Sequence, residues 1–164
     1  MKELLERKNI RRMLWYALYM FVTLIMQNMF LGQVKLMGVS AMFLPAAVVA
    51  VAMFEGATYG AVFGLVMGIF ADMGFVENTV MFTLLFPVLA FGVGFVAQFF
   101  ITRNFVAYLA AALAAIAVTA AVQALKVLAM DSFSLELLET AALQIVWSMP
   151  MAAVLYIPPA RWIE

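Results

Sequence analysis

Six apolar runs separated by short breaks occupy almost all of the chain after residue 12. They cover residues 13–31, 39–54, 57–76, 79–100, 105–130 and 135–157. A helix that crosses a bilayer needs about 20 residues, so six crossings would use roughly 120. In a chain of 164 residues this leaves short loops and one long polar segment, MKELLERKNIRR, at residues 1–12. Composition closes off the soluble alternative. Hydrophobic residues make up 68% of the chain and charged residues 11%, against roughly half and about a quarter in a soluble domain. Too little polar surface remains to cover an aqueous exterior. The expected fold is therefore all-α, a compact integral-membrane bundle of about six transmembrane helices. Residues 13–164 form the membrane domain, and residues 1–12 form a basic cytoplasmic segment before it.

The residues that are missing exclude much chemistry. The chain has no Cys and no His. Disulfides, thiol nucleophiles, His-ligated haem and most zinc or copper sites are excluded. A serine protease of the rhomboid type would lack its base. There is no P-loop and no carbonyl filter of the potassium-channel kind. Net charge is zero and there is no basic stripe, so nucleic acid is not an expected partner. The 14 Met residues are scattered over every segment and read as apolar filler rather than a soft-metal site. No cofactor and no metal are expected.

Basic residues set the orientation. Lys2, Arg7, Lys8, Arg11 and Arg12 lie in the first twelve positions, and the apolar run that follows is too long for a signal-peptide core. It reads as a retained first span. With an inside N-terminus, seven of the nine basic residues fall inside, including Arg103 and Arg161. Lys35 and Lys126 fall outside, and both termini are cytoplasmic. Segments two and three are the short ones. The apolar core of segment two, residues 44–54, is only about 16 Å long as a helix, against a bilayer core of about 30 Å. Segment two therefore crosses only if it starts near Val39 or borrows thinned bilayer, or else segments two and three form a re-entrant hairpin.

The most informative stretch is EGATYGAVFGLVMGIFADMG. Gly56, Gly60, Gly64 and Gly68 recur every four residues, and Asp72 takes the next step. Small residues at this spacing let another helix backbone approach closely. The ladder drifts about 40° per rung, which makes a diagonal groove. It serves internal helix packing, the docking of a partner's helix, or the close approach of a substrate. Asp72 is an ionisable group about one turn inside the outer boundary. It is read as a solvated helix end or a buried polar contact ahead of ion coupling, because no second intramembrane acid or base lies near it. Glu55 reads as a polar turn residue at the inner boundary.

Segment five carries an alanine seam at Ala107, Ala110, Ala114, Ala117, Ala121 and Ala124, suited to close packing. Pro87 and Pro150 lie inside segments four and six, where each removes a backbone hydrogen bond and kinks its helix. Gln27, Asn28, Gln98, Gln123 and Gln144 are the other polar groups in or near the spans, available as weak interhelical glue. None makes an acid–base pair, a nucleophile–base pair or a phosphate grip, so no enzyme is expected.

The order of elements resembles a known family. The basic tail, the acid-glycine turn Glu55-Gly56, the run GAVFGLVMGIFADM with Gly60, Gly64, Gly68 and Asp72, the stretch TLLFPVLAFGVGFVAQFFITRN and the end WSMPMAAVLYIPPARW together resemble MreD. That family is the small membrane component of the bacterial rod-shape machinery. The loop after Asp72, MGFVENTV, is more apolar than the Ser/Gly-rich loop usual there. The resemblance implies a non-enzymatic protein of the bacterial inner membrane that supports cell elongation and peripheral peptidoglycan synthesis. Its implied partners are an MreC-like bitopic protein, a RodA-type glycosyltransferase with its transpeptidase, MreB filaments indirectly, and membrane lipid. A chain of this size also resembles the substrate-binding subunit of energy-coupling-factor vitamin transporters. Those subunits dock through small residues on the first helix, whereas segment one here is bulky. An alcohol-phosphotransferase would need a cluster of aspartates that this chain lacks.

The topology is directly testable. Reporters at either terminus should report cytoplasm, and one inserted at residues 131–134 should report the outside. Termini on opposite sides would refute six crossings.

Overall fold

The computed structural model describes residues 2–31, 35–36, 39–40, 42–74, 80–99, 104–130 and 135–156. These form six α-helices: α1 (Lys2–Ile25), α2 (Leu44–Glu55), α3 (Ala57–Gly74), α4 (Met81–Phe99), α5 (Phe105–Met130) and α6 (Leu135–Val154). A π-helical turn, Met26–Leu31, extends α1. A two-residue antiparallel ladder, β1 (Lys35–Leu36) with β2 (Val39–Ser40), precedes α2. Two helices, α4 and α5, are long and apolar enough to cross a membrane. Residues 77, 78, 103, 131–134 and 158–161, which carry the outer-loop acids, Arg103, Arg161 and the terminal prolines, lie outside the described residues.

The second helix starts at Leu44, not near Val39. Proline sets this boundary. A helix begun at Val39 would carry Pro45 in its second turn, where the ring meets a backbone carbonyl and one hydrogen bond is lost. At the start of α2 the same residue costs nothing. The helix then ends at Gly56, whose φ of +98° suits glycine. Twelve residues make a helix about 18 Å long.

This short helix is the centre of the molecule. Residues Leu44 to Met53 are all buried. One face, including Ala47, Val48, Val51 and Ala52, packs with Phe63 and Met67 of α3 and Phe82, Phe86 and Ala90 of α4. The other, including Ala46, Val49, Ala50 and Met53, packs with Tyr108, Ala112 and Ile116 of α5 and Ala152 of α6. Tyr16, Tyr19, Met20 and Leu24 bring α1 against the first cluster.

Neighbouring helices run antiparallel. Arg12 of α1 meets Glu55 at the end of α2, while Gln27 meets Phe43 at its start. In the α3–α4 pair, Gly68 faces Phe82, Gly64 faces Phe86, and Gly94 faces Ala57. The sums of these residue numbers stay near 150, as an antiparallel register requires.

The alanine seam expected on α5 is displaced. Ala110, Ala114 and Ala121 are exposed. The buried stripe is Tyr108, Ala112, Ala115, Ile116, Thr119 and Ala120. Alanine is present all round this helix, so alanine does not select a face. Tyr108 does: its hydroxyl donates to the Ala152 carbonyl at 2.8 Å, and the buried ring fixes the rotation of α5.

Pro87 lies half-buried inside α4, beside the Gly64 contact. Pro150 lies inside α6 on an exposed face.

The glycine contacts separate packing from propensity. A Cβ at Gly64 would stand 2.8 Å from the Phe86 carbonyl oxygen, whereas one at Gly92 meets nothing within 4 Å. Gly64→Ala should lower stability by about 1–3 kcal/mol through overpacking, while Gly92→Ala should be neutral or gain up to about 1 kcal/mol. Unfolding of both variants in detergent micelles checks the contrast; equal behaviour would refute the close contact.

Candidate functional site

The glycine ladder is filled by the chain itself. Gly60 lies against the Ala52 backbone of α2, with room for 2.5 Å between an added Cβ and the Ala52 Cα. Gly64 and Gly68 lie against the α4 backbone, at Phe86–Pro87 and Phe82–Thr83. Gly56 faces the Gln98 side chain, also on α4. The neighbour in each case is backbone or side chain of the same molecule, and the groove is occupied along its length.

Asp72 continues the ladder onto α4. Its Oδ1 accepts from the Phe82 N–H at 3.2 Å, and its Oδ2 accepts from the Thr83 N–H at 2.8 Å and the Thr83 hydroxyl at 2.6 Å. These N–H groups belong to the first turn of α4, which lacks partners within its own helix. The carboxylate therefore acts as an N-cap supplied by the preceding helix, and its charge complements the positive end of the α4 dipole. Small rungs bring α3 close enough for so short a side chain to reach.

Glu55 is a buried acceptor as well as a turn residue. Its side chain is 6% exposed and receives the Arg12 guanidinium and the Tyr16 hydroxyl, both from α1. The hydrogen bond to Glu55 raises the Arg12 pKa above its usual value, so the cationic side of the pair stays charged. This contact ties α1 to the α2–α3 turn.

The other end of α2 is closed by side chains that the sequence did not distinguish from glue. Phe43 N–H donates to Gln27 Oε1 at 3.2 Å, and Met42 N–H donates to Ser148 Oγ at 3.0 Å. The Ser148 hydroxyl donates in turn to the Gln144 carbonyl at 2.6 Å. Gln123 Nε2 reaches Met42 Sδ at 3.4 Å. Three of the five predicted polar residues thus converge, through side chain or backbone, on residues 42–43 and 148. Asn28 is exposed, and Gln98 sits beside Gly56. The signal for Ser148 was faint: a lone hydroxyl in an apolar helix, two residues before a proline.

A shallow apolar groove of about 360 Å³ lies between α4 and α5, lined by Met53, Gly92, Val93, Ala97, Ala107 and Ala111. Among the described residues no three Asp or Glu side chains converge as a metal site would require. Asp72, Glu55, Gln27, Ser148 and Tyr108 are engaged in holding helices, through caps, an ion pair and carbonyl contacts.

No family model, curated protein or solved structure matches this chain.

Asp72 yields a prediction that separates hydrogen bonding from charge. Asp72→Ala should destabilise the protein by about 0.5–2 kcal/mol, the usual cost of a lost N-cap. Asp72→Asn should keep most of that stability, because asparagine caps nearly as well. Denaturation in micelles measures both. A neutral alanine variant would refute the capping role.

Proposed function

We propose that this chain is a multi-pass integral membrane protein that works as a non-enzymatic partner protein, in the manner of the rod-shape membrane component its sequence resembles. The observation that carries the membrane part is the distribution of carbon. The long apolar helices α4 and α5 are mostly exposed rather than enclosed. Phe21 is 63% exposed, Phe70 50%, Leu84 69%, Val88 71% and Leu125 63%. Soluble monomers rarely expose a contiguous apolar patch above a few hundred Å². A helix serving as a soluble core would be covered, and these are not. Lipid is the solvent that suits such a surface.

The six-segment bundle follows as part of the same reading. Alternating antiparallel helices put both termini on one side, and the basic N-terminal segment makes that side the cytoplasm. Helix α2 is too short to cross the full bilayer core, so segments two and three act as an inner hairpin closed by α1, α4, α5 and α6.

The partner-protein part rests on the use of charge. Asp72, Glu55 and Arg12 hold helices in register, which supports a scaffold of fixed shape. In the rod-shape reading that scaffold sits in the inner membrane. It contacts an MreC-like bitopic protein and, through it or directly, the RodA-type glycosyltransferase, its transpeptidase and MreB filaments. With the glycine ladder occupied from within, partner contacts would use the outer faces of the bundle.

Depletion tests this function. Rounded or swollen cells, with loss of the elongation partners from the same complex, are the expected outcome. Normal shape together with a vitamin requirement would overturn it and favour the transporter reading.

A further inference from the structure

The exposed carbon on α4 is arranged as a ridge beside a hollow. Phe91, Phe95 and Phe99 are 53%, 47% and 67% exposed. Their rings lie against one another, with centroids 6.4 Å apart for Phe91–Phe95 and 4.9 Å apart for Phe95–Phe99. By helical rotation the three share an arc of about 80°. Gly92 comes about 20° further round. It is exposed, with nothing within 4 Å of where a Cβ would stand. Beyond Gly92 opens the groove of about 360 Å³ between α4 and α5, with Val96 and Ala97 on one wall and Ala107, Ala110 and Ala111 on the other.

Gly92 has no use within one copy. Glycine inside a helix is destabilising relative to alanine. Gly64 and Gly94 offset this with close backbone contacts in their own chain, and Gly92 makes none. The ridge, Gly92 and the groove also lie at one depth, since Phe91 and Phe95 are within about 5 Å of Gly92 along the helix axis. A twofold axis along the membrane normal keeps every residue at its own depth. A self-complementary contact about such an axis therefore needs a knob and its hole at the same level on neighbouring faces. This face of α4 meets that condition. With Gly92 turned toward the axis, a half-turn lays the phenylalanine ridge of each copy over the groove of the other.

From this geometry we infer that α4 is the interface for a second copy of this chain, with Gly92 at the twofold axis and the Phe91–Phe95–Phe99 ridge seated in the partner's α4–α5 groove. The inference rests on the membrane reading above, which sets the direction of the axis. Between helices in lipid, close backbone approach and side-chain fit supply the attraction, and a glycine at the crossing allows both. The area is sufficient. Three half-exposed phenylalanine rings present roughly 300 Å². Each copy covers that ridge and a matching stretch of groove, so the pair buries roughly 1,200 Å² in total, the lower edge of the range for stable interfaces.

The chain has no Cys, so single cysteines report contacts between copies cleanly. Membranes carrying Gly92→Cys, Val62→Cys on α3 or Leu18→Cys on α1 are oxidised with copper phenanthroline. A disulfide-linked dimer is expected for Gly92→Cys and not for the other two, although all three positions are exposed. No link at Gly92→Cys, or equal links at all three, would overturn the inference. Light scattering of the full chain in mild detergent gives a second measure. The wild type should run as a dimer, and Gly92→Leu should lower the dimer-to-monomer ratio about tenfold or more by overfilling the crossing. A monomeric wild type, with the groove holding lipid or another protein's helix instead, would also overturn it. An alkaline carbonate wash separates the two levels. Release of the chain would overturn the membrane reading and this inference with it; retention without the Gly92→Cys dimer would overturn the inference alone.

Discussion

A helix enclosed on every side must have its terminal backbone groups satisfied by other parts of the protein, and α2 imposes that requirement on all its neighbours. Both its flanks are packed against other helices, and an unpaired buried N–H costs about 1–3 kcal/mol. The start of α2 is closed by Gln27 from α1 and Ser148 from α6. Its first internal donors, the N–H groups of Ala46 and Ala47, turn back to the Phe43 carbonyl. Its end runs into Gly56, whose N–H returns to Ala52, and into Glu55, which gathers Arg12 and Tyr16. Remove these partners and the most buried element of the molecule would hold uncompensated dipoles.

The close approach of α3 and α4 answers the same constraint. Without bulky side chains between them, the two backbones come near enough that Asp72 reaches the first turn of the next helix. The glycines and the aspartate are therefore one device. The rungs determine separation, and the carboxylate determines where along α3 the helix α4 begins. Tyr108 and Tyr19 do for α6 what Asp72 does for α4, with their hydroxyls donating to the Ala152 and Leu155 carbonyls near its C-terminal end. In each case a polar atom from one helix closes the end of another.

Local signals made part of this readable beforehand. Helix type and order follow from apolar runs and their breaks. The glycine spacing announced a close contact, because four rungs in register have few other uses. What local pattern could not supply is which residues meet across distant segments. Glu55 looked like a turn residue because its role depends on Arg12, 43 residues away, and on the α1–α2 register. Three of the six α5 seam residues lie off the packed face, because alanine gives every face the same weight while one buried tyrosine decides. The helix α2 starts five residues after the apolar run does at Val39, and Pro45 is the residue that marks the difference.

The division of labour among residues also bears on how such a protein could act. A pocket protein keeps polar groups convergent and unspent, so that a ligand can complete them. Here Asp72 and Glu55 are completed by the chain's own donors, and the groove between α4 and α5 is lined by carbon. Interaction energy then remains at the periphery, where large apolar side chains stand exposed on α1, α3, α4 and α5. In lipid such a periphery gains little by hydrophobicity alone, since acyl chains are as apolar as leucine, and specificity comes from shape and the occasional polar contact. A rigid interior is what makes shape dependable. Helices whose ends are capped by one another cannot slide independently, so their outer faces keep a fixed relief.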